Sequence, residues 1–383
     1  MDYHLDRLPL LQLVFILLGC FLTSLFASKP VKYSVTPNVP FDWDDLQRDT
    51  SYFQDTSTGM LVYQIQDTAG IPLYYAQDIS TEVCFDNKCR QLLTTIYWNI
   101  TGRYLGFGLP EGEYLSRQDH EAFVERDYLQ LNNLLADPYL PFGEVSFQEL
   151  IQPDETLENV DGISGATSQS ISAYVVSGAA YTTYTMWNIV YGPMQSWIRD
   201  LTEKELSPGL LALILRGGSS EDKIWALGKI DVEKELESEV EEVLLELIGD
   251  DDFFVAHNAI NTILPGHLDS ESLQIGLFSK YDEINFNLRG LILEKLMQAS
   301  CISPIIISRS SDILASISGV QLDYFLAIYK EHDIDDPKVL RSVASLLNQD
   351  NSFITEKAYR FLVDLEIEDG DIHHALKAYK QGR

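Results

Sequence analysis

The 383-residue chain is short of basic side chains: 27 lysines and arginines stand against 58 aspartates and glutamates, a formal charge of −31. Such a field repels phosphate backbones and anionic lipid surfaces, which excludes nucleic acid as a partner class. Cysteine is scarce as well, four in all, and no second Cys or His pair stands at ligand spacing to make a metal site with Cys84 and Cys89. The sequence has no glycine-flanked serine elbow, no His-Glu-x-x-His and no Cys-x-x-Cys-His, so serine-nucleophile, metalloprotease and haem-attachment signatures are missing. His120 is a lone histidine in the first turn of an expected helix and reads as a bystander. No low-complexity tract interrupts the chain.

What is present is the composition of a folded protein, 45% hydrophobic and 11% aromatic, in a length that implies two domains after any targeting segment. Residues 1–30 read as that segment. Leu8 to Phe26 is nearly all apolar and ends before Lys29-Pro30. It approaches the roughly 20 residues of a membrane helix, while Leu17-Leu18-Gly19-Cys20 resembles a bacterial lipobox in which Cys20 is lipidated. Lipoprotein, uncleaved anchor and cleaved signal are the three readings, and all place the remainder outside the cytoplasm, in the periplasm or cell envelope.

Phe41 to about Ile151 predicts a small antiparallel sheet, with strands at Gly59 to Ile65, Tyr74 to Val83, Leu92 to Asn99 and Tyr104 to Leu109. Turn signals Asp67-Thr68-Ala69-Gly70 and Asn99-Ile100-Thr101-Gly102 separate them. Cys84 and Cys89 close the hairpin between the second and third, with Asp86-Asn87 as turn chemistry, and in an oxidising compartment a structural disulfide is the expectation. Cys301, inside the apolar stretch Ala299 to Ile307, is expected to be a buried free thiol. Ser116 and Asp119 resemble a capping box, predicting a helix from there to about Ala136.

Gly162 and Gly165 then open into a run predicted as one helix from Ser168 to Tyr191, with Ile171, Val175, Ala179, Thr182, Met186 and Ile189 as its core stripe. A glycine loop entering a helix brings unpaired amides and the positive dipole end to Thr167, a phosphate-binding geometry. In the bland alternative Ser164 or Thr167 is a helix cap. The full string Asp161-Gly162-Ile163-Ser164-Gly165-Ala166-Thr167 resembles the attachment motif of the FMN-binding domain family, the flavin subunits of sodium-pumping NADH:quinone oxidoreductases and Rnf complexes. The resemblance spans about residues 50–195. It implies covalent FMN on Thr167 through a phosphoester, with Gly165 and Ala166 leaving room for the phosphate, Ser164 completing the motif and Asp161 serving a flavin transferase. Ring contacts are then expected from the loops and from Tyr104-Leu105-Gly106-Phe107.

Beyond Trp197 the texture is helix after helix: Ser207 to Leu215, Ser220 to Leu227, Val232 to Ile248, Asp251 to Leu264, Asp282 to Met297, Val320 to Glu331, Pro337 to Leu347 and Ser352 to Leu365. Phrases such as Ser220 to Leu227 and Phe253 to Ile260 resemble HEAT-like repeats, at irregular spacing, with an ordinary helical domain as the alternative. The sequence therefore predicts three segments: a targeting segment 1–30, an α+β FMN-binding-like domain 31–198 and an all-α repeat-like domain 199–383. Two function classes follow. One is a membrane-associated electron-transfer flavoprotein, served by a flavin transferase and a redox partner or membrane electron-transfer complex, whose helical domain docks a partner. The other is a non-redox secreted scaffold that keeps the fold without flavin.

Overall fold

The computed structural model describes residues 32–34, 51–54, 61–67, 69–83, 90–117, 120–144, 146, 171–230, 235–365 and 367–381. The chain divides into two compact units, residues 1–205 and 206–383. The division follows a helix, Pro193–Lys204, inside which the boundary expected at 198/199 falls.

The first unit is built on an antiparallel sheet of six strands: β1 (Lys32–Ser34), β2 (Ser51–Gln54), β3 (Leu61–Gln66), β4 (Pro72–Thr81), β5 (Leu92–Asn99) and β6 (Tyr104–Gly108), in the order β1-β6-β5-β4-β3-β2. Strands β2 to β6 form a meander and β1 closes its far edge. Strand β5, Leu-Leu-Thr-Thr-Ile-Tyr-Trp-Asn, shows why: β-branched and aromatic residues fit a pleated, half-buried surface. The predicted turns form as polar loops. Asp67 Oδ1 accepts from the Ala69 and Ile71 amides, and Asn99 Oδ1 accepts from the Thr101 and Arg103 amides. Gly102, at φ +79°, is required at its turn, because a Cβ there would stand 2.8 Å from the Gln195 carbonyl oxygen.

Among the described residues three α-helices belong to this unit: α1 (Glu125–Leu135), α2 (Ala180–Val190) and α3 (Pro193–Lys204). They are tied to one face of the sheet by buried polar groups. Trp98 Nε1 donates to the Val190 carbonyl at 3.0 Å, Tyr104 OH donates to Asn132 Oδ1 at 2.9 Å, and Thr202 Oγ1 donates to the Ile100 carbonyl. The opposite face carries its own apolar cluster of Ile65, Tyr74, Ala76, Tyr97 and Leu105, with Tyr63 and Leu73 packed against it. Tyr74, Tyr75, Ala76 and Gln77 in succession are buried, so both faces of β4 are covered.

Two helix predictions are corrected here. The expected helix from Ser116 begins only at Glu125. Ser116 instead bridges Ala122, and His120 sits at φ +61° in a 3₁₀ turn of the connection, five residues before α1. The cap of α1 is Asp127, whose carboxylate accepts from the Val124 amide. The expected helix from Ser168 to Tyr191 is also broken. Residues 172–174 form a 3₁₀ turn, Val175 is extended, Gly178 lies at φ +73°, and α2 starts at Ala180. The apolar periodicity was real, since Ile171, Val175, Ala179, Thr182 and Met186 are all buried, but a compact non-helical segment buries the first three.

The second unit consists of α4 (Pro208–Gly217), α5 (Ser220–Leu227), α6 (Ser238–Leu247), α7 (Phe253–Thr262), α8 (Glu271–Ser279), α9 (Phe286–Met297), α10 (Pro304–Ile313), α11 (Gly319–Glu331), α12 (Pro337–Ser345), α13 (Ser352–Val363) and α14 (Gly370–Gln381). Even-numbered helices pack on one another in series, α4 on α6 through to α12 on α14, and odd-numbered helices do the same from α5 to α13. The result is a two-layer stack of helix pairs. Its period is regular, contrary to the sequence expectation. The second-layer helices are capped by Ser219, Asp252, Asn285, Ser318 and Asn351, one every 33 residues. First-layer helices from α6 onward start after Glu237, Ser270, Ser303, Asp336 and Asp369, at the same interval. Helices α8, α10 and α14 have no counterpart among the predicted ones, and their omission made the spacing look irregular. Cys301 precedes α10 and is exposed, correcting the expected buried thiol.

Candidate functional site

Asp161, Ser164, Gly165, Ala166 and Thr167 lie outside the described residues, as do Cys20, Cys84 and Cys89. What the structure shows is the ground on either side of the motif. Before it, α1 is followed by Leu140 and Phe142, both buried, in a short 3₁₀ turn at Pro141–Gly143. Phe142 meets Tyr184 and Trp187 of α2 edge to face, and Trp187 Nε1 donates to the Asp137 carbonyl. After the motif, the chain re-enters at Ile171 and is pinned at several points. Gln130 Nε2 of α1 donates to the Val175 carbonyl, and the Val176 amide donates to Thr183 Oγ1, which in turn donates to the Ala179 carbonyl. A Cβ added at Gly178 would stand 3.4 Å from Arg117 Cβ. The two ends of the motif-bearing stretch are thus both fastened to the α1–α2 pair.

Arg117 gives this corner its charge. One of its terminal nitrogens donates to both Asp127 oxygens, at 2.6 and 2.7 Å. Burial pushes the Asp127 carboxyl up, but the Arg117 guanidinium and the Val124 amide outweigh it and hold the acid below the usual carboxylate value. The Arg117 Nε atom is buried with no hydrogen-bond partner, and the side chain lies beside Gly178. No sequence pattern singled it out; only the fold brings it next to Gly178.

Other expected contacts are spent in the core. All five residues of β6 are buried; Phe107 stacks on Tyr33, Tyr104 is held by Asn132, and Leu105 lies in the cluster on the opposite face. Burial raises the Tyr104 hydroxyl far above the ordinary tyrosine value and raises Tyr191 as well, so neither supplies a titrating group near neutrality. The long helix expected to aim its dipole at Thr167 is absent: α2 begins at Ala180. Among the described residues there is no group of three or more metal-ligating side chains, and no helix long and apolar enough to cross a membrane. No family model, no curated protein and no solved structure matches this chain.

Proposed function

We propose that the protein is an extracytoplasmic, membrane-associated electron-transfer flavoprotein that carries FMN covalently on Thr167. The single observation behind this is the complete Asp161-x-x-Ser164-Gly165-Ala166-Thr167 string, which resembles the attachment motif of the FMN-binding domain family. Its setting fits: the string ends four residues before Ile171, where a segment begins that is tied to α1 and α2 through Val175 and Val176. Arg117, whose side chain lies beside Gly178, brings a positive charge that suits the neighbourhood of a phosphate. Bound FMN would supply the redox chemistry through its ring, and the chain supplies tether, orientation and surroundings. Asp161 serves the flavin transferase, and the N-terminal segment, by lipidated Cys20 or as an anchor, keeps the protein at the membrane near a redox partner. The second unit, a stack of HEAT-like pairs, docks a partner. A second reading is favoured by the shortened α2 and the fully committed β6: a non-redox scaffold in which the motif is a plain loop and the helical stack does the binding.

Co-expression with a flavin transferase separates them. The flavoprotein is expected to keep yellow colour after acid denaturation and to gain the mass of one FMN phosphoester on the Thr167 peptide, both lost in Thr167→Ala. A colourless, unmodified chain beside an active transferase overturns the electron carrier.

A further inference from the structure

The capped starts of α7, α9, α11 and α13 repeat every 33 residues, and because these helices stack on one another in register, their N-termini form a single edge of the second unit. Each start carries a large apolar side chain turned to solvent: Phe254 is 68% exposed, Phe286 54%, Val320 55% and Phe353 56%. Phe254, Val320 and Phe353 stand two residues past their caps and Phe286 one residue past its own, a recurrence that singly scattered surface apolar residues do not give. At the corresponding place two residues past the cap, the first-layer helices carry Gly209, Glu239, Ser272, Ile305, Lys338 and Asp371. The ladder therefore belongs to the second-layer edge and is not a property of the repeat as such.

We propose that this edge docks a cationic amphipathic helix of a partner protein. Neighbouring packed helices stand about 8–10 Å apart, so the ladder presents an apolar contact at each such step, about 30 Å in total. A helix with apolar residues every seven positions repeats its contact every ~10.5 Å and covers that span in about 21 residues. Charge selects the sign of the partner. The connections that flank the ladder carry exposed Asp251, Asp282 and Asp350. The lysines on the same edge are already taken, Lys223 by Asp250, Lys280 by Glu283 and Lys357 by Asp323, while Lys357 also lies over the Phe353 ring. One guanidinium, Arg289, lies at the middle connection, held by the Asp282 and Ile284 carbonyls; an anionic partner would still meet Asp251 and Asp350 on either side of it, whereas a lysine-rich helix would neutralise them around a greasy centre. Glycine at position 319 supports a built surface: a Cβ there would stand 2.5 Å from the Phe353 ring, so the first residue of α11 leaves room for the next rung. This surface does not depend on flavin at Thr167.

The test uses the full chain and a labelled 21-residue lysine peptide with leucines at seven-residue spacing, read by fluorescence anisotropy, beside a glutamate peptide of the same leucine pattern. The lysine peptide is expected to bind and the glutamate peptide to fail. The triple variant F254S/F286S/F353S should weaken binding at least tenfold, while the exposed apolar pair Leu213→Ser and Val363→Ser, away from the edge, leaves it unchanged. Equal binding by the triple variant overturns the proposal. So does phenylalanine-dependent adsorption to phosphatidylcholine vesicles without peptide binding, or phenylalanine-dependent self-association of the chain. Should the triple variant lose its helical signal, a photo-reactive lysine peptide on the unaltered chain decides: adducts at 250–254, 282–287 and 350–353 support the edge, and adducts confined elsewhere overturn it.

Discussion

Lys295 of α9 reaches across to the end of α7 and donates its ammonium hydrogens to the carbonyl of Ile263 at 2.7 Å and of Asn261 at 3.1 Å. A helix leaves its last carbonyls without intrahelical partners, and here a side chain from the next repeat supplies them. The lysine is itself buried at 8% exposure, so the contact joins two neighbouring repeats through polar groups hidden from water. Stacked repeats hold together through neighbour interfaces of this kind.

Replacing it should therefore cost more than a surface lysine would. In Lys295→Met the stem is kept and two carbonyls lose their donor, for which about 1–3 kcal/mol is expected in urea denaturation. Burial pulls the Lys295 ammonium below the ordinary lysine value. The unfolded chain then binds more protons than the folded one in the window below that value, so stability rises with pH there. The gap between the natural chain and Lys295→Met should widen as pH is raised towards the lysine range. A substitution with no effect on the denaturation midpoint would show that water replaces the lysine at no cost.

The Arg117–Asp127 pair behaves in the opposite sense. Its acid lies below the usual carboxylate value despite burial, because Arg117 and the Val124 amide both favour the ionised form. A depressed carboxylate contributes stability that is complete above the unfolded value and is lost as pH falls through the folded value. Urea midpoints of the natural chain should therefore fall as the pH drops below the ordinary aspartate value of about 3.9, and Asp127→Asn should lose that part of the slope. At neutral pH the variant should be less stable by about 2–3 kcal/mol, from a lost helix cap and an orphaned guanidinium. Because Arg117 also packs on Gly178, the flavoprotein proposal predicts that Asp127→Asn slows FMN attachment at Thr167 even where the fold survives. Attachment at the natural rate would detach this corner from the motif.

Strands were the most legible part of the chain. Alternation and turn chemistry placed β3 to β6 within a residue or two, because Asp67 and Asn99 build their turns from side chains local in sequence. The short edge strands β1 and β2 escaped, having too few residues to show a period. Helices failed where local and tertiary signals diverge. Ile171, Val175 and Ala179 repeat at helical spacing but are buried by a 3₁₀ turn and an extended stretch that Gly178 alone makes feasible. Helix α10 carries three serines, two of which, Ser310 and Ser311, lie in its second half, buried and bonded to carbonyls one turn back, so its apolar stripe is interrupted. Arg117 was invisible for a different reason: its partners Asp127 and Gly178 are distant in sequence, and only the packing of α1 on the re-entering segment makes it part of the candidate site.

The β4–β5 hairpin carries the last expectation. Its pairs run without a slip from Tyr74 opposite Asn99 to Thr81 opposite Leu92. The ladder ends there, with Glu82, Val83, Arg90 and Gln91 outside it, and Cys84 and Cys89 each stand three residues beyond the last pair. Two residues at equal distance from a closed pair can meet the roughly 4.4–6.8 Å Cα separation that a disulfide spans. Chain exported to an oxidising compartment should thus resist alkylation at both cysteines until reductant is added, while the exposed Cys301 reacts at once and serves as the internal control. The closed loop is short, so its entropic contribution is modest, about 2 kcal/mol. Cys84→Ser with Cys89→Ser should lower the denaturation midpoint by that amount without shifting the spectrum of the folded chain. Immediate labelling of all three cysteines in exported protein would mean that the register slips beyond Thr81 or that the pair is kept reduced.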